Sequence, residues 1–386
     1  MSQTPAPRGR RPRRTTSGWV IGRLAGAPVV VTPSWFVAAA VLTVLFAPTV
    51  RYVSPGLGIG TYVVALAFVL LLFLSVFLHE AAHALVARAR GHEVHELALT
   101  LWGGHTAYGG GGGPLDAFLV AVVGPVTNLV LAGAFWAAFQ PVRHDASIAG
   151  LLLYAGAFSN AFVGIFNLLP GLPLDGGQML ESAVWGGTGN REKGTVAAGW
   201  VGRLVALAVI AWVVVVPLAR GGQPSLTTVI WGVLIGGFLW QGASQAVASG
   251  RARAAIAHLR ASDLMLPVRL VYDTGTVADA RAVSLPHHAL VVVDRAGTAV
   301  GAVDPQALAS VPEAAAAGTP VTAVAQTLGP DAVVDAETSG GELVGTVAEA
   351  APGAPVLAVV HAGSVVGLLP VQTVVEAVRH ANSKQS

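Results

Sequence analysis

Six long apolar stretches dominate the hydropathy pattern of the first 250 residues, and short polar or glycine-rich connections separate them. At about 1.5 Å of rise per helical residue, each stretch is long enough to cross most of a hydrocarbon core about 30 Å thick. The pattern predicts a polytopic α-helical membrane protein with six transmembrane helices. The predicted spans are approximately 32–50, 61–87, 115–139, 148–169, 196–219 and 226–248.

Two segments outside these spans have the pattern of strands. Residues 99–113 alternate apolar and polar side chains before a run of glycines, and residues 21–35 carry a Val-rich run. We expect a short β-hairpin or re-entrant segment at 99–113 and another short strand at 21–35. The "GHEVHE" segment between the second span and the hairpin reads either as a solvated loop or as a second metal cluster, and the loop is favoured.

The pattern changes after Arg251. Short Val-rich strands alternate with Ala-rich helical stretches, as in "HHALVVVDRAGTAVGAV" and "APVLAVVHAGSVVGLLPVQTVVEAV". In each segment a strand, a glycine-containing turn and a second strand lead into a helix, and the two copies lie about 70 residues apart. The chain therefore divides into a tail at 1–17, a six-span domain at 18–250 and a soluble α/β domain at 251–386, with repeats at about 252–317 and 318–380.

Composition supports a membrane location and limits the chemistry. Hydrophobic residues make up 54% of the chain and charged residues 11%, and the formal net charge is only +2. The basic cluster "RGRRPRR" suits a tail beside anionic lipid better than a nucleic-acid site, and we expect no nucleic-acid partner. Because there is no cysteine, a metal would have to be bound by His, Asp or Glu.

The distribution of Lys and Arg among the short loops predicts the orientation. The N-terminal arginines, Arg88 with Arg90, Arg191 with Lys193, and Arg251 with Arg253 all fall on one side of a six-span topology. This side is expected to be cytoplasmic. We therefore expect a multi-pass protein of the cell membrane with both termini and the C-terminal domain in the cytoplasm.

Ionisable residues in the second span form the clearest candidate site. In "HEAAH", His79 and His83 are four residues apart, so on a helix they lie on one face and can bind a single zinc ion. Glu80 is rotated by about 100° from His79 and could act on a water molecule beside the metal. An ionisable residue inside a membrane span is a functional candidate by default.

A third ligand is expected from another element, because a catalytic zinc usually has three protein ligands. The segment "NLLPGLPLDGGQ" follows the fourth span and contains Asp175. Pro170 and Pro173 interrupt the helix there, and glycines after Asp175 allow the backbone to approach closely. Taken alone, Asp175 would read as a helix N-cap. Opposite "HEAAH", the metal-ligand interpretation is favoured.

These motifs resemble those of the site-2 protease family of intramembrane zinc metalloproteases. The resemblance rests on "HEAAH", on "GPVTN" at 124–128 and on "NLLPGLPLDGG" at 167–177, in that order across the six spans. It implies that His79, His83 and Asp175 bind zinc and that Glu80 is the general base. It also implies that Asn167 hydrogen-bonds the substrate or the transition state. Asn128 matches the family as well, although a buried amide that joins helices accounts for it equally.

The C-terminal domain resembles a pair of cystathionine-β-synthase-type (CBS) domains. "ASDLMLP" and "VVVDRAGTAVGAVD" carry the resemblance in the first repeat, and "VVHAGSVVGLLPVQTVVEAV" in the second. Nucleotide sites of this family often have Thr or Ser before an Asp after the second strand. Asp304 lacks that neighbour, and Pro370 and Val371 stand there in the second repeat. This argues against adenine-nucleotide binding and leaves a regulatory, dimerising or purely structural role open.

The resemblance implies hydrolysis of a peptide bond in or near the transmembrane segment of a single-span membrane protein, such as an anti-sigma factor or a signalling precursor. We expect the substrate to bind as an added strand along the hairpin at 99–108. His105 of this hairpin is a further candidate for contact with the site. The alternative function is a metal-ion transporter or channel gated by the CBS pair, with the same His and Asp residues along a permeation path.

Overall fold

The computed structural model describes residues 16–100, 103–109, 112–145, 147–329, 331–350 and 353–383. The chain forms two compact units that divide between Ala248 and Ser249. The basic cluster at 8–14, and with it the predicted tail except Thr16 and Ser17, lies outside the described residues. So do Gly110 and Gly111 of the glycine run.

Among the described residues, six helices are long and apolar enough to cross a membrane, which confirms the predicted six-span architecture. A shorter helix, α5, stands between the fourth and fifth of them. In chain order the helices are α1 (Pro33–Val53), α2 (Gly60–Ala89), α3 (Pro114–Phe139), α4 (Ile148–Asn167), α5 (Asp175–Thr188), α6 (Arg191–Ala219) and α7 (Leu226–Ile256). Helix α6 begins earlier than predicted because the side chain of Asn190 caps it by accepting from the Lys193 amide.

Helix α2 is the central element of the first unit and contacts both α1 and α3. Its buried residues recur at helical spacing, from Ala65, Val69 and Phe73 down to His79 and His83. The opposite face exposes apolar side chains such as Leu70 and Leu74, as expected of a lipid-facing surface. The same periodicity that buries the apolar residues therefore directs the two imidazoles into the protein.

Four strands form a mixed sheet in the first unit, in the order β1 (Trp19–Leu24), β2 (Ala27–Val31), β3 (Glu93–Thr100) and β4 (Gly103–Gly109). β1 and β2 are antiparallel, β2 and β3 are parallel, and β3 and β4 are antiparallel. The predicted hairpin is present, but its first strand begins at Glu93. The solvated loop expected at "GHEVHE" is therefore wrong for its second half, because Glu96 lies in β3 and is only 2% exposed.

The chain reverses between α4 and α5 in a compact turn. α4 ends at Asn167 and α5 begins at Asp175, with Pro170 and Pro173 between them. Gly176 lies against the backbone of Leu168 and Leu169, where a Cβ atom would overlap the Leu169 carbonyl oxygen. Glycine at this position thus permits the first turn of α5 to pack against the end of α4.

The second unit contains a seven-stranded sheet made of β5 (Leu266–Tyr272), β6 (Ala289–Val293), β7 (Ala299–Val303), β8 (Ala325–Thr327), β9 (Val333–Asp335), β10 (Val356–His361) and β11 (Ser364–Pro370). Their order across the sheet is β8–β7–β6–β5–β11–β10–β9. The antiparallel hairpins β6–β7 and β10–β11 each lead into a helix, as the two repeats predicted. The apolar core of this unit includes one cluster around Val292 and another around Leu357. The helices of this unit are α8 (Ala261–Leu264), α9 (Val277–Val283), α10 (Pro305–Ser310), α11 (Glu313–Ala316), α12 (Gly340–Ala350) and α13 (Val371–Ser383).

Candidate metal centre

Three potential metal ligands from two separate elements meet inside the first unit. His79 and His83 extend from α2, and Asp175 is the first residue of α5. Their ligand atoms all lie within 4.8 Å of one another, and all three residues are buried. The structure thus brings together residues that are 92 positions apart in the sequence, Asp175 and His83.

The separations within this group are short. The two Nε2 atoms of His79 and His83 are 3.1 Å apart. Asp175 Oδ2 lies 3.1 Å from His79 Nε2, and Asp175 Oδ1 lies 3.6 Å from His83 Nε2. Tetrahedral zinc with bonds of about 2.1 Å separates its ligand atoms by about 3.4 Å. The group therefore has the dimensions of a three-ligand metal site.

Hydrogen bonding on the far side of each ring agrees with this assignment. His83 Nδ1 is 2.6 Å from the carbonyl oxygen of Val120, which can only accept, so Nδ1 must donate. In the neutral ring the lone pair is then on Nε2, which faces Asp175. His79 Nδ1 is 2.5 Å from Asn128 Oδ1. Metal-binding histidines commonly donate their other nitrogen in this way.

The Asp175 carboxylate places hydrogen-bond acceptors beside Nε2 of His79 and of His83, which are acceptors too when each ring carries its proton on Nδ1. Its Oδ2 atom is buried and accepts no hydrogen bond from any described residue. A buried carboxylate oxygen facing imidazole lone pairs is unfavourable unless a cation compensates. Asp175 does not act as the N-cap of α5, because Leu174 occupies that position. These observations fit a divalent cation between the three side chains.

A glycine of α3 leaves room for the rings. A Cβ atom on Gly124 would overlap His83 Nε2 and would lie 2.7 Å from His79 Cε1. Gly124 and Asn128 are the first and last residues of "GPVTN" and stand one helical turn apart. α3 therefore provides space for both imidazole rings, and it provides a hydrogen-bond partner for each, Asn128 for His79 and Val120 for His83.

Glu80 lies in the same cavity but is held by the sheet. Its Oε2 atom accepts a 2.8 Å hydrogen bond from Thr106 Oγ1 of β4. Gly104 of the same strand packs against the Glu80 side chain so closely that a Cβ there would overlap Glu80 Cγ. Glu80 is 7% exposed. Its carboxylate is thus fixed at the wall of the cavity beside the ligands.

The cavity has a volume of about 490 Å³ and is lined by all five predicted site residues. Asn167 lies at its wall, at the end of α4. His105 also lines it, and its Nε2 atom is 3.7 Å from Glu96 Oε1.

Tyr108 of β4 lines the cavity as well, and burial raises the pKa of the Tyr108 phenol, which keeps it a neutral donor. Phe162, Phe166 and Phe238 form an apolar part of the wall.

Several residues of the centre were missed by sequence reasoning. Thr106, Val120 and Gly104 act through contacts between elements that are distant in the chain, and the sequence contains no local signal for them. Asn160 is different, because an amide in the apolar fourth span is itself a signal. It hydrogen-bonds Asn128 at 2.8 Å. Asn128 therefore joins helices and contacts a ligand at the same time.

Asp304, which stands after a β-strand where nucleotide sites of CBS domains often have an Asp, has a local role in the second unit. Its side chain caps α10 by accepting from the amides of Gln306 and Ala307. This is the ordinary function of an Asp at a helix N-cap.

Comparison with known proteins places these features in context. Residues 143–211, which include Asn167 and Asp175, match peptidase family M50. The chain is 35% identical over 266 residues to the Synechocystis sp. protein sll0528, whose name assigns it provisionally to the zinc metalloproteases. The match covers 66% of each chain, so this chain spans slightly less than two thirds of that relative's length.

Two solved structures are also similar. The site-2 protease from Methanocaldococcus jannaschii is 23% identical, with a TM-score of 0.43, and the match covers 60% of this chain and 95% of that one. The CBS domain of a membrane protein from Sphaerobacter thermophilus is 21% identical, with a TM-score of 0.28, and the match covers 35% and 96% of the two chains.

Proposed function

The chain belongs to peptidase family M50, and from this premise we propose that it is a zinc-dependent intramembrane endopeptidase. Its substrate is a membrane protein, which it cleaves in or near a transmembrane segment. The observation that supports this most is the meeting of His79, His83 and Asp175 in one buried cavity that also holds Glu80. The cavity lies among helices long and apolar enough to span a membrane.

His79, His83 and Asp175 are the proposed zinc ligands, and Glu80 is the proposed general base. Zinc in this position would supply a Lewis acid at the scissile carbonyl. Glu80 takes a proton from the attacking water and passes it to the leaving amine. Thr106 holds the Glu80 carboxylate in place. Asn167, at the cavity wall, is the proposed hydrogen-bond donor to the substrate carbonyl.

The substrate binds in an extended form along β4. Within the part of the chain that the structure describes, β3 is the one strand that pairs with β4, which leaves the other edge of β4 for a further strand. β4 also carries Thr106 and Gly104, which contact Glu80. A segment paired with β4 would therefore pass beside the base. A helical substrate must unwind locally before its carbonyls become available.

Membrane topology and the second unit complete the proposal. The chain crosses the cell membrane six times, with both termini and the second unit in the cytoplasm, in accordance with the Lys and Arg distribution. The domains are 1–17, 18–250 and 251–386. The substrate is a single-span protein such as an anti-sigma factor or a signalling precursor. The CBS pair regulates the protease or dimerises it, and the residues after its second strands argue against adenine-nucleotide binding.

A transporter with the same ligands is less consistent with the geometry. A permeation path requires ligands at several depths. Among the described residues, His79, His83 and Asp175 form the one group of three or more suitable side chains, and it is compact. Its position beside Glu80 suits hydrolysis of a bound substrate better than passage of an ion.

Cleavage by the Glu80→Gln variant tests this proposal. Full-length protein in detergent is mixed with candidate single-span substrates, and zinc content is measured in parallel. We expect wild-type protein to bind one zinc per chain and to cleave, and the variant to keep its zinc while losing roughly 10²–10⁴-fold in rate. Glu93→Gln, at an exposed position of β3, is the control and should cleave normally. Unchanged cleavage by Glu80→Gln, or wild-type protein without zinc, would contradict the proposal.

A further inference from the structure

A chain of buried side-chain hydrogen bonds leads away from the candidate metal centre. His79 Nδ1 contacts Asn128 Oδ1 at 2.5 Å, and Asn128 Nδ2 contacts Asn160 Oδ1 at 2.8 Å. Asn160 Nδ2 in turn contacts Ser75 Oγ at 3.0 Å and the Gly156 carbonyl at 2.9 Å. Asn128 and Asn160 are each 1% exposed, and Ser75 is 4% exposed. This series of hydrogen bonds joins α2, α3 and α4.

Backbone carbonyls determine the direction of every bond in this chain. The Gly156 carbonyl can only accept, so the Asn160 atom facing it must be the nitrogen. Asn160 then presents its oxygen to Asn128, which must donate its own nitrogen. Asn128 consequently presents its oxygen to His79, and His79 Nδ1 must carry the proton. Ser75 agrees, because its hydroxyl donates to the Leu71 carbonyl and is left to accept from Asn160.

We infer that Asn128 and Asn160 are positioning residues that hold His79 in the tautomer able to bind metal. With the proton on Nδ1, the Nε2 lone pair faces Asp175 and His83. A flipped Asn128 amide would donate to Nδ1 and place the proton on Nε2, where it would block metal binding. This inference rests on the proposed function for the identity of the metal, and it deepens that proposal by assigning a role to Asn160 of α4, one hydrogen bond beyond Asn128.

The competing explanation is that the amides only join the helices, as buried amides do in membrane proteins. The two explanations differ in what they predict for zinc affinity. If the amides only join helices, the Leu and Asp variants at position 160 should not differ in their effect on His79, whereas a positioning role predicts a loss of affinity in Asn160→Leu alone. Asn160→Leu keeps the number of side-chain heavy atoms and the branch at Cγ but cannot accept from Asn128. Nothing then fixes which atom of the Asn128 amide faces His79. Asn160→Asp accepts from Asn128 through one oxygen and, protonated as a buried carboxyl is, donates to Gly156 through the other.

Zinc affinity of full-length protein in detergent, measured by competition with a chelator, distinguishes these explanations. We expect Asn160→Leu to bind zinc roughly 10–100-fold more weakly. Asn160→Asp should remain within about threefold of wild type, since the direction of the bonds is kept. Ser75→Ala is the matched control and should also bind normally, because Gly156 still orients Asn160. Wild-type affinity in Asn160→Leu, or equal losses of affinity in the Leu and Asp variants, would overturn the inference.

A second measurement reads the tautomer directly. Nitrogen NMR of metal-free protein labelled at its 11 histidines, with His79→Gln used for assignment, should find His79 protonated at Nδ1 in wild type and in Asn160→Asp. In Asn160→Leu the signals should indicate a mixture of tautomers. An unchanged Nδ1-protonated form in that variant would refute the positioning role of Asn128 and Asn160. Should Asn160→Leu fail to fold, Asn128→Leu and Asn128→Asp provide the same comparison.

The two proposals fail in different ways. The positioning role of Asn128 and Asn160 fails if Asn160→Leu retains the wild-type zinc affinity and the wild-type His79 tautomer in a protein that binds zinc and cleaves. The protease proposal fails if wild-type protein binds zinc with His79 in the expected tautomer but cleaves no substrate, or if Glu80→Gln cleaves normally. Because the NMR measurement uses metal-free protein, it is independent of cleavage.

Discussion

At the scale of single residues, the candidate centre depends on small side chains as much as on its ligands. His79 and His83 fit beneath α3 because position 124 is glycine, and a Cβ there would overlap the His83 ring at Nε2. Interiors are packed densely enough that such an overlap must displace a group. The group displaced in this case is His83 Nε2, the proposed ligand atom. The space left by Gly124 is therefore part of the site.

Gly124→Ala should weaken zinc binding by tenfold or more, roughly the effect of disturbing a ligand's orientation. Gly133→Ala is the control, because position 133 is on the same helix and a Cβ there has nothing within 4 Å. Alanine is also the better helix former by about 0.5–1 kcal/mol, so loss of helix is not the cause. Chelator competition measures the affinity, and equal zinc affinity in both variants would contradict this role of Gly124.

At the scale of elements, β4 connects the sheet with α2. Thr106 donates to Glu80, and among the described residues β4 pairs with β3 alone. The hairpin was predictable from the alternation at 99–113, because strand periodicity is a local property of the sequence. Its contact with Glu80 was not predictable, since it joins positions 26 residues apart through the packing of a strand on a helix.

Thr106→Val should lower the rate of cleavage by roughly tenfold, since a hydrogen bond to a charged group contributes about 1.5–3 kcal/mol. Zinc content should stay at the wild-type level, because Thr106 contacts none of the three proposed ligands. Thr106→Ser keeps the hydroxyl and should restore most of the activity. The measurement is the rate at saturating substrate in detergent. A Ser variant as slow as the Val variant would show that the hydroxyl is not the important group.

At the scale of the whole molecule, the proposed metal joins α2 to α5. Asp175 begins α5 after the break at Pro170 and Pro173, so the centre connects the part of the chain before the break with the part after it. A ligand that binds only the folded state stabilises it by mass action. The centre is thus expected to contribute to the stability of the membrane unit.

Removing the metal should lower the Tm of the protein. At free zinc about 100 times the Kd, binding contributes about 2.7 kcal/mol, which should be lost on addition of a chelator and regained with excess zinc. Asp175→Asn should have a lower Tm with zinc present and should respond little to the chelator. Thermal unfolding in detergent measures both. The same chelator-induced shift in wild type and Asp175→Asn would exclude Asp175 as a ligand.

The sequence by itself determined the six spans, the α/β tail and the pairing of His79 with His83. These features depend on hydropathy, composition and helical periodicity, which are properties of neighbouring residues. Only the tertiary structure decided that Asp175 faces both rings, that β3 begins at Glu93 with Glu96 buried, and that Asn160 reaches His79 through Asn128. Those contacts depend on how distant helices and strands pack against one another, and short-range periodicity contains no information about that packing.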